Sequence, residues 1–233
     1  MKDVIIIPTY NEKENISILV PQIFEILPDI LVRVADDNSP DGTAEVVKDM
    51  QNKYPNLSLI FRSKKNGLGQ AYTNAFLEVL KDRNIGKVIM MDADLSHNPK
   101  YLKEMLSQGN NFSVVVGSRY VDGGKTEGWE FWRRALSFFG NAYCRVITRL
   151  PLRDCTGGFN VISAELLRKV DFSRMDMSGY AFIIEIKFLL YKAGGTFFEV
   201  PITFVNRAHG ETKISGHIIS EGILAPWKIR FTR

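Results

Sequence analysis

Val4-Ile5-Ile6-Ile7-Pro8-Thr9-Tyr10-Asn11-Glu12 is an unbroken apolar run stopped by a proline and a polar turn. Because it is apolar at every position rather than every second one, the run predicts a strand buried on both faces. Ile16, Leu19, Val20, Ile23 and Ile26 follow at helical spacing, so the unit is strand, turn, helix. The unit recurs. Residues 31–35 precede a helix expected to start near Asp41, 57–61 precede one over 69–80, 87–91 precede one over 99–106, and 114–116 close the series. Five strands alternating with four helices predict an α/β fold, Rossmann-like and doubly wound, with a mostly parallel sheet and right-handed crossovers.

In such sheets ligands bind outside the carboxyl ends of the strands. Every polar cluster of this half of the chain falls there: residues 8–12, 36–41, 66–69, 92–94 and 117–120. Five loops are therefore expected to converge on one rim. The composition is that of a globular protein of 233 residues, with 45% hydrophobic and 24% charged side chains, which excludes disorder and fibrous repeats. Cys144 and Cys155 are too few for a disulfide framework and lack metal-ligand spacing, so a reducing compartment is the default. The N-terminus carries an acid at Asp3 and an apolar run of only four residues, unlike a signal or transit peptide. No stretch approaches the roughly 20 apolar residues that span a bilayer.

The net charge of +4 is too small to suggest nucleic acid, but it is unevenly placed. Residues 119–153 carry seven Lys and Arg against three Asp and Glu, and residues 201–233 carry five against two. The back half faces something anionic. There the strand-helix alternation stops, and 129–150 reads as a basic amphipathic helix, mixing Trp132, Leu136, Phe139 and Tyr143 with Arg133, Arg134, Arg145 and Arg149. A second such stretch, 217–231, ends in Lys228 and Arg230. Helices of this kind lie on membrane surfaces or in partner grooves.

Asp92 and Asp94, one residue apart after a buried strand, point two hard oxygen ligands at the crevice, a pattern suited to Mg²⁺ or Mn²⁺ bridging to a diphosphate. The same residues fit a solvated turn leading to the helix at Pro99, and the position after a buried strand favours the metal. Residues 36–43 fit a turn and cap, or a carboxylate that accepts hydrogen bonds from a base or ribose. Gly67 and Gly69 say only that backbone approaches a ligand closely. Arg119, Arg133, Arg207 and Lys213 adjoin glycines or loops, where cations could hold phosphate, or could equally be solvated surface side chains. His97 and His209 have no second ligand at metal spacing and read as bystanders.

Four segments together, 4–12, 36–43, 91–97 and 117–120, resemble the inverting family 2 glycosyltransferases, whose fold is the A-type nucleotide-sugar fold. Asp154-Cys155-Thr156-Gly157-Gly158-Phe159 and the segment from Val200 to Lys213 are similar to the polyprenol-phosphate, or dolichol-phosphate, mannosyltransferases. The resemblance implies a sheet extended by added C-terminal mixed strands and amphipathic interface helices. It implies that Pro8, Tyr10, Glu12, Ala35 and Asp37 line the guanosine part of a GDP-mannose site. Asp92, Ala93 and Asp94 would hold the metal and the diphosphate, and Ser96 stands where some relatives place a Gln that also contacts the metal. Arg119 and Arg133 would bind the acceptor phosphate, with Arg207 and Lys213 closing over the donor diphosphate.

The implied domain plan is a catalytic unit over 1–213, with a nucleotide half over about 1–118 and an acceptor half over about 119–213, followed by a membrane-surface segment over 214–233. The implied activity is metal-dependent transfer of mannose to a polyprenyl phosphate on the cytoplasmic side of a membrane. The protein would sit there peripherally, through its own amphipathic helices or a membrane-anchoring subunit. An acceptor phosphomonoester is mostly a dianion at pH 7, so this reaction needs no general base. UDP-glucose or another UDP-sugar as donor, or a non-catalytic nucleotide-sugar-binding subunit, are the competing readings. A sugar-hydroxyl acceptor is disfavoured, because it requires a base where the sequence offers arginines.

Overall fold

In the computed structural model, which describes residues 1–64, 67–175, 181–206 and 216–232, the opening apolar run forms strand β1 (Lys2–Thr9). The continuous apolarity has its reason in the packing. Val4 and Ile6 enter one core cluster while Ile5 and Ile7 enter the other, on opposite faces of the sheet. Each such side chain, fully buried, contributes about 1.5–3 kcal/mol. The predicted alternation follows: α1 (Lys13–Ile26), β2 (Leu31–Asp36), α2 (Thr43–Gln51), β3 (Leu57–Phe61), α3 (Leu68–Val79), β4 (Ile85–Met90), α4 (Leu102–Gln108) and β5 (Val114–Ser118). Ile16, Leu19, Val20 and Ile23 of α1 cover one face with Leu102 and Met105 of α4, and Tyr72 and Phe76 of α3 cover the other.

The second half comprises β6 (Lys125–Glu127), α5 (Phe131–Thr148), β7 (Asn160–Ser163), α6 (Ala164–Leu167), α7 (Ala181–Lys192), β8 (Phe197–Pro201), β9 (Thr203–Val205) and α8 (Gly216–Thr232). The main sheet runs β3-β2-β1-β4-β7-β5-β8, and β6 pairs with β9 apart from it. Simple alternation would set β5 beside β4. Instead β7 lies between them, antiparallel to both. Its Val161 and Ile162 feed the two opposite core clusters, which is what a central strand requires. The insertion preserves the rim, since two antiparallel pairings leave β4 and β5 pointing the same way.

The first basic amphipathic helix begins at Phe131 rather than 129, leaving Trp129 in the approach to it. It packs against α8 through Tyr143, whose hydroxyl donates to the Ile223 carbonyl at 2.9 Å and receives the Trp227 indole N–H at 2.6 Å. Among the described residues no helix is long and apolar enough to cross a membrane.

Candidate active site

The first two rim loops are laced together. Buried Asp36 accepts from Thr9 Oγ1 at 2.8 Å, from Ser39 N at 2.9 Å and from Ser39 Oγ at 2.6 Å. Asp41 ties together the starts of two helices, accepting from Thr43 N of α2 at 3.0 Å and from Lys13 N of α1 at 3.1 Å. The 36–43 run is thus largely turn and cap, and Asp37 is the carboxylate outside that scheme. Its partner is Arg62, which follows β3 and forms a buried ion pair with it; nothing in the sequence marked Arg62. Tyr10 is exposed on this rim and Pro8 and Glu12 are half-buried, whereas Ala35 is fully buried and has only its backbone to offer a ligand.

At the end of β4, Asp92 and Asp94 face a cavity while Ala93 turns into the core. The turn is tight and held from within. The Asp92 N–H donates to His97 Nδ1 at 3.0 Å, and Asp94 Oδ1 accepts from Ser96 N at 3.1 Å. Between them Leu95 has φ +63°, a left-handed conformation that a bulky side chain adopts only under constraint. His97, expected to be a bystander, instead stacks on Phe159 at 5.0 Å and lines the same cavity. Ser96 is fully buried and does not line it. Gly158 closes in from the opposite wall: a Cβ there would lie 3.4 Å from Asp92 Oδ2.

Arg119 leaves the end of β5 beside these carboxylates. Its Nε and Nη2 donate to the two oxygens of Asp154, both at 2.7 Å, and Nη2 also reaches Thr156 Oγ1 at 2.8 Å. Burial pushes the Asp154 carboxyl up, but the Arg119 guanidinium and its hydrogen bonds outweigh that and hold it at about 2. For Arg119 burial acts downward and Asp154 reverses it, so the guanidinium is raised. Arg133, in the first turn of α5, lies 4.3 Å from the Trp129 ring centroid and donates to Asn206 Oδ1 at 3.2 Å. Trp129 also carries Arg119 at 5.6 Å, so one indole serves both guanidiniums.

The cavity these groups share measures about 640 Å³. One part of it is lined by Asp92, Asp94, His97, Arg119 and Arg133, and the rest by side chains of α5, α7 and α8, among them Leu136, Phe139, Tyr143, Ala181, Ile184 and Ile223. A charged, mostly buried region therefore adjoins an apolar one that is open to solvent at Leu136, Phe139 and Ile223. Along the rim the order is Arg62 and Asp37, then residues 8–12, then Asp92 and Asp94, then Arg119, following the strand order β3-β2-β1-β4-β7-β5. Asn66 and the 207–213 segment, with Arg207, Lys213 and His209, lie outside the described residues.

The chain matches the model of glycosyl transferase family 2 over residues 4–171. It is 37% identical over 224 residues to an undecaprenyl-phosphate mannosyltransferase of Micrococcus luteus, covering 96% of this chain and 92% of that one. It is 36% identical over 233 residues to a polyprenol monophosphomannose synthase of Mycolicibacterium smegmatis, covering 98% of this chain and 88% of that one. Among solved structures, a mannosyltransferase of Pyrobaculum calidifontis in complex with GDP-Man and Mn²⁺ superposes with a TM-score of 0.60 at 17% identity, over 95% of this chain and 60% of that one. The fold is the A-type glycosyltransferase fold. The chain belongs to glycosyl transferase family 2.

Proposed function

We propose that this protein transfers mannose from GDP-mannose to a polyprenyl monophosphate with inversion, giving polyprenyl phosphate β-mannose and GDP, while held peripherally at the cytoplasmic face of a membrane. One observation carries the reading: a single cavity is lined in one part by two carboxylates and two guanidiniums and in the rest mostly by apolar side chains. A lipid phosphate has that shape and polarity, with an anionic head and a hydrocarbon tail. The names of the two relatives support the same acceptor class.

In this reading the base and ribose lie over Asp37, Tyr10 and Glu12, and the diphosphate meets Asp92 and Asp94. The two carboxylates fit Mg²⁺ or Mn²⁺ by chemistry, being hard oxygen donors. Among the described residues no group of three or more His, Cys, Asp or Glu is gathered to enclose a metal, as suits a cation that keeps positions open for phosphate oxygens. The bound cation would neutralise charge on the leaving GDP. Arg119 and Arg133 hold the acceptor phosphate and offset its repulsion from the donor diphosphate. The phosphate dianion is itself the nucleophile, and no side chain has to take a proton.

The test is a transfer assay with purified protein, Mg²⁺ or Mn²⁺, a short polyprenyl phosphate in detergent, and labelled GDP-mannose, UDP-glucose or UDP-N-acetylglucosamine. Label entering the organic phase from GDP-mannose alone, and lost with chelator, is the expected result. Label from a UDP-sugar alone would overturn the donor and keep the acceptor. No label from any donor would overturn the catalytic reading.

A further inference from the structure

The 153–157 turn that carries Asp154 is bound from three sides. Glu199 of β8 accepts from Arg153 N at 2.7 Å and Asp154 N at 2.9 Å. Asn141 of α5 accepts through Oδ1 from Cys155 N at 2.8 Å and Thr156 N at 3.1 Å, and Gly157 N donates to Asp154 Oδ1 at 2.8 Å. From below comes Lys187 of α7. Its Nζ donates to the carbonyls of Asp154 at 3.0 Å and Gly157 at 2.8 Å, and the residue is 1% exposed.

Hydrogen bonding alone does not account for a lysine in this place, because a buried ammonium is costly to desolvate and any neutral donor could satisfy two carbonyls. The charges around it do. Arg119 pairs with the Asp154 carboxylate, and Lys187 lies in the field of the carboxylates of both Asp154 and Glu199. Without the lysine, the Asp154 and Glu199 carboxylates behind Arg119 would lose the one buried cation that lies in the field of both, beside a cavity where an anion must bind.

We infer that Lys187 is a positioning residue for the acceptor phosphate, fixing the 154–157 turn behind Arg119 and offsetting its carboxylates so that the guanidinium meets the phosphate with its charge uncancelled. The inference rests on the proposed function in one respect, that the ligand at Arg119 is the phosphate of the acceptor.

The test is calorimetric titration of the full chain with farnesyl monophosphate and, separately, with GDP. Lys187→Met is expected to weaken the prenyl phosphate about tenfold, a modest share of one unit charge acting across a partly buried site, and to leave GDP unchanged. Lys187→Arg is expected to restore binding. Lys187→Gln keeps an N–H for one carbonyl while removing the charge, and reads the same effect should the methionine variant be too unstable.

The decisive variant is Glu199→Gln combined with Lys187→Met, which removes one carboxylate along with the cation, leaves the Arg119–Asp154 pair in place, and is expected to recover most of the lost prenyl phosphate affinity. A double variant weaker than either single one, or a Lys187→Met protein that loses both ligands together, would show a merely structural lysine and overturn the inference. Unchanged prenyl phosphate binding in both Lys187→Met and Lys187→Gln would overturn it too, leaving the proposed function standing. If the unmodified protein binds no prenyl phosphate, both fall.

Discussion

Arg119 and Asp154, 35 positions apart, meet in a buried two-pronged pair whose hydrogen bonds are both 2.7 Å long. A pair of this kind is expensive to break because the surviving charge stays buried. Asp154→Ala is expected to destabilise the protein by about 3–5 kcal/mol, measured as a lower urea midpoint. The pair also sets a pH dependence. The folded carboxyl titrates at about 2, below its ordinary value of 3.8, so its stabilisation is complete above that ordinary value and is lost as pH falls through about 2. The difference in unfolding free energy between the unmodified protein and Asp154→Asn should therefore shrink between pH 4 and pH 2. Curves that stay parallel over that range would contradict the assignment.

Asp94→Asn keeps the size of the side chain, and Oδ1 can still accept from Ser96 N, so the turn should survive. What it removes is one of the two anionic oxygen donors that Asp92 and Asp94 bring to the cavity. Mn²⁺ binding in the presence of GDP, followed by electron paramagnetic resonance, is expected to weaken by at least tenfold, with turnover lost alongside. Retention of most of the activity would sink the metal assignment.

The parts of this fold legible in the sequence were those with a local cause. Continuous apolar runs such as 4–7 mark strands covered on both faces, and Asp92 and Asp94 stand one residue apart in the chain and line the same cavity. The parts that escaped are those where distant segments supply the reason. Residues 160–163 hold only two apolar side chains, Val161 and Ile162, between Asn160 and Ser163, and only their place between β4 and β5 makes them a central strand. His97 has no metal-ligand spacing, yet the backbone of Asp92 and the ring of Phe159 draw it into the site. Asp37 reads as a free acceptor until Arg62 arrives from another strand. Lys187 sits in a helical run where a lysine ordinarily snorkels outward, and its burial becomes apparent only with the 154–157 turn in place.

Arg133 is held by cation–π contact with Trp129 and by Asn206, both outside the nucleotide rim. Arg133→Ala should accordingly raise KM for the polyprenyl phosphate by about tenfold or more, the scale of a lost hydrogen bond to a charged group, with a much smaller effect on KM for the donor. Equal losses for both substrates would move this arginine to the donor side.

The outer faces of α5 and α8 are where the proposed membrane contact would form. Phe131 is 78% exposed on α5 and Phe231 is 74% exposed on α8, with Trp132, Phe138, Leu224 and Trp227 also open to solvent. Neither of the two most exposed rings lines the large cavity, so changing them leaves its walls in place. Burying one such ring in a bilayer interface yields up to about 1.5–3 kcal/mol, and basic residues near an anionic surface add about 1 kcal/mol each. Arg134 and Arg145 supply such charge on α5, and Arg149 directly follows it. The double variant Phe131→Ser with Phe231→Ser is expected to bind vesicles containing phosphatidylglycerol at least tenfold more weakly in a flotation assay, while its turnover on a short polyprenyl phosphate in detergent is kept. Binding should also fall with added salt, because the arginines act through a screened field. A variant that floats as well as the unmodified protein would place the membrane contact on another surface.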